Sequence, residues 1–378
     1  NTGLGYNALA GNTTGTRNTA VGSLALDANT TANDNTAVGQ AALGANTTGT
    51  ANTAVGSNSL DANTTASNNT AVGFDTLSTN TTGASNTALG TGTLYANTTA
   101  SNNTAVGHYA LLANTTGAGN VGIGKDALAA NTTGSNATAV GLDALTAQTS
   151  GDGNTAIGSN ALLTATTGAT NVAVGRNALK VSNGSGNVAI GYAALDAATD
   201  ANRNTAVGEY AGSALTTGIT NVAIGANSLL ACTTGTRNVA IGYNALLATT
   251  TGGGATGHIA IGAETLRSKT TDYGAGQNIA IGDHAMYTSV DSYRNTAVGG
   301  MHEGGQGCLK NLTTGNYNCG FGLAAGYSIT TASNNVAIGA FSMATNTTGI
   351  DNICIGYSAD VSASGSTDQI VMGNGVTG

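Results

Sequence analysis

Charge, bulk and proline are what this chain is short of. Of its 378 residues only 7 % are charged and 4 % aromatic, and it contains neither Pro nor Trp. Large side chains fill a globular interior at crystal-like density. Here Ala, Val, Leu and Ile carry nearly all the apolar volume, enough for a thin core but not for a wide one. Disorder does not follow, because disordered chains pair high net charge with few β-branched residues. This chain has a net charge of only −8 and is rich in Thr, Val and Ile. Its order is therefore expected to come from regularity.

Other absences narrow the function. The sequence pI of about 4.7 leaves no basic patch for a nucleic-acid partner. No uninterrupted apolar run is long enough to span a membrane as a helix, and no secretory leader stands at the start. The chain opens at Asn1 inside its repeating pattern, which reads as a processed product or a piece of something longer. Cys232, Cys308, Cys319 and Cys354 have neither zinc-site nor redox-pair spacing. Cys319 and Cys354 read as small buried hydrophobes, and a Cys308–Cys319 disulfide is one available pairing. No phosphate loop, zinc-protease helix or nucleophile elbow is present, and the 18 acidic residues form no clustered pair of the kind glycoside hydrolysis needs. The expectation is a non-enzyme without cofactor. No metal is expected either, because His258, His284 and His302 lack ligand spacing.

What is present is repetition. Asn-Thr-Ala-Val-Gly begins at Asn18, Asn35, Asn52, Asn69, Asn86 and Asn103, a step of 17 residues, and looser copies bring the total to 22 over the whole chain. Numbering the motif Asn as position one, position five is Gly in every copy, including Gly22, Gly39, Gly56, Gly73 and Gly107. Position four is always apolar, position three is mostly Ala, and position two passes from Thr to Val or Ile along the chain. Position nine is Leu or Met in 17 of the 22 copies. The alternation has period two, so a short strand is expected with Thr and Val on one face and Ala and Gly on the other. The Ala25–Leu26 segment is a second short strand or a tight corner. Asn29-Thr30-Thr31 is a turn, since Asn tolerates left-handed backbone and bonds its own main chain. A helix is excluded by Gly in every copy and by dense Thr and Asn.

The fold expected is all-β: a β-solenoid, or β-roll, of coils of about 17 residues, residues 1–378 forming one continuous rod. Coils stacked about 4.8 Å apart would make it roughly 100 Å long. Like stacks on like, and the recurrent Gly marks a place where no Cβ fits or where φ is positive. Two large apolar side chains per coil stabilise by less than fixing seventeen backbones costs, so a homo-oligomer is expected, a trimer with its flat Ala/Gly faces near a common axis.

The units NTAVGSNSLDANTTASNNTAVG and NVAIGANSLLACTTGTRNVAIG resemble the head repeats of YadA-type trimeric autotransporter adhesins and the shaft repeats of phage tail fibres. The closing stretch Asp368 to Gly375 looks like the segment preceding a self-cleaving chaperone domain in such fibres. The resemblance covers the whole chain, and its longer step favours the tail-fibre group. It implies a left-handed, trimeric roll serving as the shaft or adhesive fibre of a phage or virus, at the virion or an extracellular surface, in contact with a host glycan or receptor. The alternative it implies is a bacterial surface adhesin or a self-assembling, glycosylated filament.

Coil steps lengthen to 20, 20 and 23 residues within 253–330, and solenoid insertions map to surface loops that often bind. Tyr273, Tyr287, Tyr293, His302, Glu303 and Tyr317 are the receptor-contact candidates there, against a plainer reading as loop decoration. Asn29, Asn46, Asn63 and Asn80 match the glycosylation pattern Asn-x-Thr, although an unmodified Asn turn ladder would look the same. Rows of Thr suit ice binding, but position two turns to Val or Ile toward the C-terminus.

Overall fold

A computed structural model of the chain describes residues 1–248, 256–269 and 276–378. They form two units, Asn1–Ser185 and Gly186–Gly378. Each unit is a parallel β-solenoid whose coils contribute one three-residue strand apiece. The first unit holds eleven strands, from Thr2–Leu4 to Val172–Val174, and the second eleven more, from Val188–Ile190 to Ile370–Met372. There is no helix among the described residues. Strands pair in register one coil apart: Thr19 with Thr36, Ala20 with Ala37, Val21 with Val38. Like therefore does stack on like. The longer coils keep this register, with Val239, Ala240 and Ile241 opposite Ile259, Ala260 and Ile261.

The two strand faces are inverted relative to expectation. Ala20, Ala37, Ala54 and Ala71 are fully buried, whereas Thr19, Val21, Thr36 and Val38 point outward. The Ala face is the inside of each coil and is closed to a second chain. Size explains this. A Cβ built on Gly122, the one Gly at position three inside the first unit's stack, lies 3.3 Å from Leu111 Cγ. The interior between strand and position nine is one Ala plus one Leu thick, and a β-branched residue would overpack it. Leu26, Leu43, Leu60 and Leu77 are completely buried, as their recurrence predicts.

Position five needs glycine for both reasons anticipated. Gly22, Gly39 and Gly56 have φ near +138°, and a Cβ on any of them would lie 2.2–2.3 Å from the next coil's Gly carbonyl oxygen. Beyond it the chain turns a tight corner, not a second strand. Leu24 (φ 60°) and Leu26 (φ 49°) adopt left-handed backbone, a conformation costing Leu about 1–2 kcal/mol. Burial of Leu26 and the Leu26 N–H bond to Ala42 O (3.1 Å) in the next coil offset that cost. The left-handed turn residues are those just before the motif, such as Asp34 and Asn68, and not Asn29.

Two columns of buried asparagine complete the interior. At position one, Asn18 Oδ1 accepts from Asn35 N–H at 3.0 Å and Asn35 Oδ1 from Asn52 N–H at 2.9 Å. At position twelve, Asn46 Nδ2 donates to Asn29 Oδ1 at 3.3 Å. The columns converge on one carbonyl per coil: Asn35 and Asn46 both donate Nδ2 to Gly49 O at 2.9 Å. The turn backbone is thus satisfied inside the coil, as buried polar groups require.

Candidate functional site

Of the receptor-contact candidates, Tyr273 lies outside the described residues. The structure places the other five in three separate patches of the second unit. Tyr287 stacks on His284 (ring centroids 5.2 Å apart, 13° between planes) and accepts a 2.5 Å hydrogen bond from Arg267 Nη1. Lys310 Nζ lies 5.8 Å from the same ring, and Arg267 is itself paired with Glu264 at 2.8 Å. Tyr287 is therefore half-buried and already occupied by cations of its own chain.

Tyr293 and Tyr317 form an edge-to-face pair at 5.5 Å. Arg294 Nη1 donates to Tyr317 Oη at 2.8 Å, with its guanidinium 5.7 Å from that ring. Each of these tyrosines lies just before the next coil's strand, whereas His284 and Tyr287 lie just after a strand, so the strand separates the two patches. Tyr317 is 47 % exposed.

His302 and Glu303 are exposed and belong to the 23-residue coil. Its extra residues fold back through an antiparallel His302–Gln306 bridge. The His302 ring lies edge-on to Phe341 at 5.1 Å, and Phe341 meets Tyr357 at 6.2 Å. The insertion thus ends in an aromatic row continued by regular coils. Phe341 and Tyr357 were missed in sequence because they sit at ordinary repeat positions, where no lengthened step marks them.

Asn29, Asn46, Asn63 and Asn80 are not glycan acceptors in this fold. Each is fully buried with its Nδ2 donating twice: Asn63 to Asn46 Oδ1 at 2.8 Å and Ala66 O at 3.0 Å, Asn80 to Asn63 Oδ1 at 3.1 Å and Gly83 O at 2.9 Å. A glycan would remove a donor and require an outward side chain. The cysteines form no disulfide. Burial pushes the Cys308 thiol up to about 12 and that of Cys354 up to about 11, making both poor nucleophiles. No group of three or more His, Cys, Asp or Glu suited to a metal occurs among the described residues, and no helix long and apolar enough to cross a membrane occurs among them.

The outer strand face of the second unit is lined by apolar side chains. Positions two and four stack as two apolar columns: Val222, Val239, Ile259 and Ile279 beside Ile224, Ile241, Ile261 and Ile281. Ile224, Ile281 and Ile338 are each more than one-third exposed. In the first unit the position-two column is mostly Thr, from Thr19 to Thr155, beside Val and Ile. Comparison with known proteins finds no family model that matches the chain and no curated protein that matches it.

Proposed function

We propose that the chain is the structural shaft of an adhesive fibre on a phage or virus particle, self-associating as a homotrimer and meeting a host surface glycan or receptor. The observation that carries this reading is the pair of β-branched columns on the outer strand face. Continuous exposed apolar surface on a repeat array is the mark of a protein contact, and a regular column offers the same contact to another copy at every coil. This reading moves the oligomer face from the Ala/Gly side, which lies inside the coil, to the Thr/Val/Ile side. The exposed Tyr317 and His302–Phe341–Tyr357 patches stand apart from that face in the repeat, and suit the outward, receptor-facing side of such a fibre.

Native mass spectrometry tests it. The wild-type chain is expected at three times its own mass. Ile241→Asp with Ile261→Asp, which places carboxylates in the column without touching the interior, is expected to give monomers. A monomeric wild type would overturn the assembly. Immunogold labelling distinguishes the biological settings: label on virions supports the fibre, and label confined to bacterial surfaces supports the adhesin alternative.

A further inference from the structure

The first unit carries a concave pocket of about 360 Å³ on the corner that follows the strand, built by three successive coils. Phe74 and Asp75 come from the coil of Asn69, Thr91, Gly92 and Tyr95 from that of Asn86, and Tyr109 from that of Asn103. Its volume is in the range of small-ligand sites, and an apolar lining with a few polar groups is their usual composition. Three aromatic rings line it while remaining open to solvent: Phe74 is 53 % exposed, Tyr95 43 % and Tyr109 39 %. Large aromatics on this scale are conspicuous in a chain with 15 Phe and Tyr in 378 residues.

Gly92 shows that the pocket is shaped by the side chains around it. Its φ is +61°, but the same corner position in the first unit adopts the same backbone with Asn58 (φ 55°), Asp75 (φ 52°), Tyr109 (φ 58°) and Asp126 (φ 56°). Backbone conformation therefore does not call for glycine there. Space does: a Cβ on Gly92 would lie 2.6 Å from both Cδ1 and Cε1 of Tyr109. The missing side chain lets the Tyr109 ring lie down over the preceding coil, and His108 flanks it at 3.7 Å between ring centroids. Corner hydrogen bonds hold the frame, Gly92 N–H to Phe74 O at 3.0 Å and Tyr109 N–H to Thr91 O at 3.1 Å.

The polar groups are few and chiefly acceptors. Asp75 Oδ1 accepts from Asn58 Nδ2 at 2.9 Å, which orients the carboxylate and leaves Oδ2 for a ligand. Thr91 and the two tyrosine hydroxyls add donors and acceptors. The neighbourhood is negative, with Asp61 close enough to Asp75 and Asp27 to feel both charges. An anionic ligand is therefore disfavoured. Flat ring faces beside a carboxylate acceptor suit a ligand with an apolar C–H face and hydroxyls at its edge.

We propose that this corner is a binding subsite for a neutral sugar ring of a polysaccharide, with Tyr109 and Phe74 as platforms and Asp75 accepting from sugar hydroxyls. It deepens the host-surface reading by naming a ligand class and rests on that reading only for its biological purpose. The test is calorimetric titration of the intact, assembled protein with maltotetraose, cellotetraose and, as an anionic comparison, 3′-sialyllactose. A neutral tetrasaccharide is expected to bind. Tyr109→Ala should weaken it about tenfold, the loss of one ring platform, with Tyr109→Phe retaining most of the affinity. Gly92→Ala, which drives a Cβ into the Tyr109 ring, should weaken it as well and serves if Tyr109→Ala does not fold. The proposal is overturned if neither neutral tetrasaccharide binds, if both variants bind like wild type, or if the sialylated sugar binds more tightly than the neutral ones. Native mass on the same samples separates the readings: trimers that bind no sugar remove only the subsite, and monomers that bind sugar remove only the shaft.

Discussion

Gln148 Oε1 accepts a 2.8 Å hydrogen bond from Asn154 Nδ2 inside the solenoid. In the regular coils that kind of bond comes from the motif Asn, as when Asn86 Nδ2 donates to Asn69 Oδ1 at 3.2 Å. The coil before Asn154 has Ala137 at the motif position, so no side-chain amide is available there. The same coil carries Gln148 where the coils before it carry Asn, such as Asn114 and Asn131, and the longer side chain reaches across the thin interior to replace the missing acceptor. His258 makes a related substitution: its Nδ1 accepts from Asn278 N–H at 3.3 Å, in place of an Asn Oδ1.

Gln148→Ala should therefore remove one of the two acceptors of the buried Asn154 amide, whose other bond goes to Gly168 O at 2.6 Å. The expected cost is about 1–3 kcal/mol, confined to the neighbouring coils because each repeat contacts only the next. Hydrogen exchange of amides near Asn154 should speed up while those near Asn52 stay protected. The double variant Ala137→Asn with Gln148→Asn restores the regular pattern and should return protection to the wild-type level. Unchanged exchange in Gln148→Ala would show that the amide column contributes nothing.

Gly107→Val tests the position-five requirement. Gly107 has φ +128°, and a Cβ there would lie 2.6 Å from Gly124 O. Strain and clash together should cost at least about 3 kcal/mol. Thermal melting with site-resolved exchange is expected to show opening of the coils around Gly90, Gly107 and Gly124. A melting curve superimposable on wild type would remove the steric account of this column.

Acid titration of the first unit should show an unusual slope. Burial, reinforced by Asp27 and Asp75, holds the Asp61 carboxyl above its ordinary range. The folded chain keeps a proton that the unfolded chain releases, so this group favours folding at low pH. Its contribution declines as pH rises from the ordinary aspartate range through the raised folded value. Asp34, held low by its hydrogen bond to Arg17, has the opposite sign, but that pair is exposed and contributes little. Asp61→Asn should flatten the decline seen by urea melts over roughly pH 3–7 and leave the variant the more stable at neutrality. A slope that persists in Asp61→Asn would assign it elsewhere.

The cysteines should be silent toward thiol reagents in the folded state. Cys308 and Cys354 are buried, with thiols raised to about 12 and about 11, and burial also raises the half-buried Cys319. A disulfide-exchange colour assay at neutral pH should register these thiols only slowly, and all four once the protein is unfolded. Rapid labelling of Cys308 without unfolding would contradict the packing of the long coil.

The repeat itself determined the strand, its in-register stacking and the need for glycine at Gly22 and its equivalents, because a fixed period with one invariant Gly admits few other arrangements. It also marked Leu26 and its column as buried. Parity alone left open which face turns inward; the thickness of the interior decided that, placing Ala20 inside and Val21 outside. The left-handed Leu corners and the burial of Asn29 were hidden for a related reason. Leu is a poor left-handed residue and Asn a poor core residue, and each is held in part by bonds to the coil above or below. Tyr95 and Tyr109 stand in different repeats at different positions, and only coiling brings them, with Phe74, to one corner. Side chains that meet through stacking leave no mark in a linear pattern beyond the single Gly92 that makes room for them.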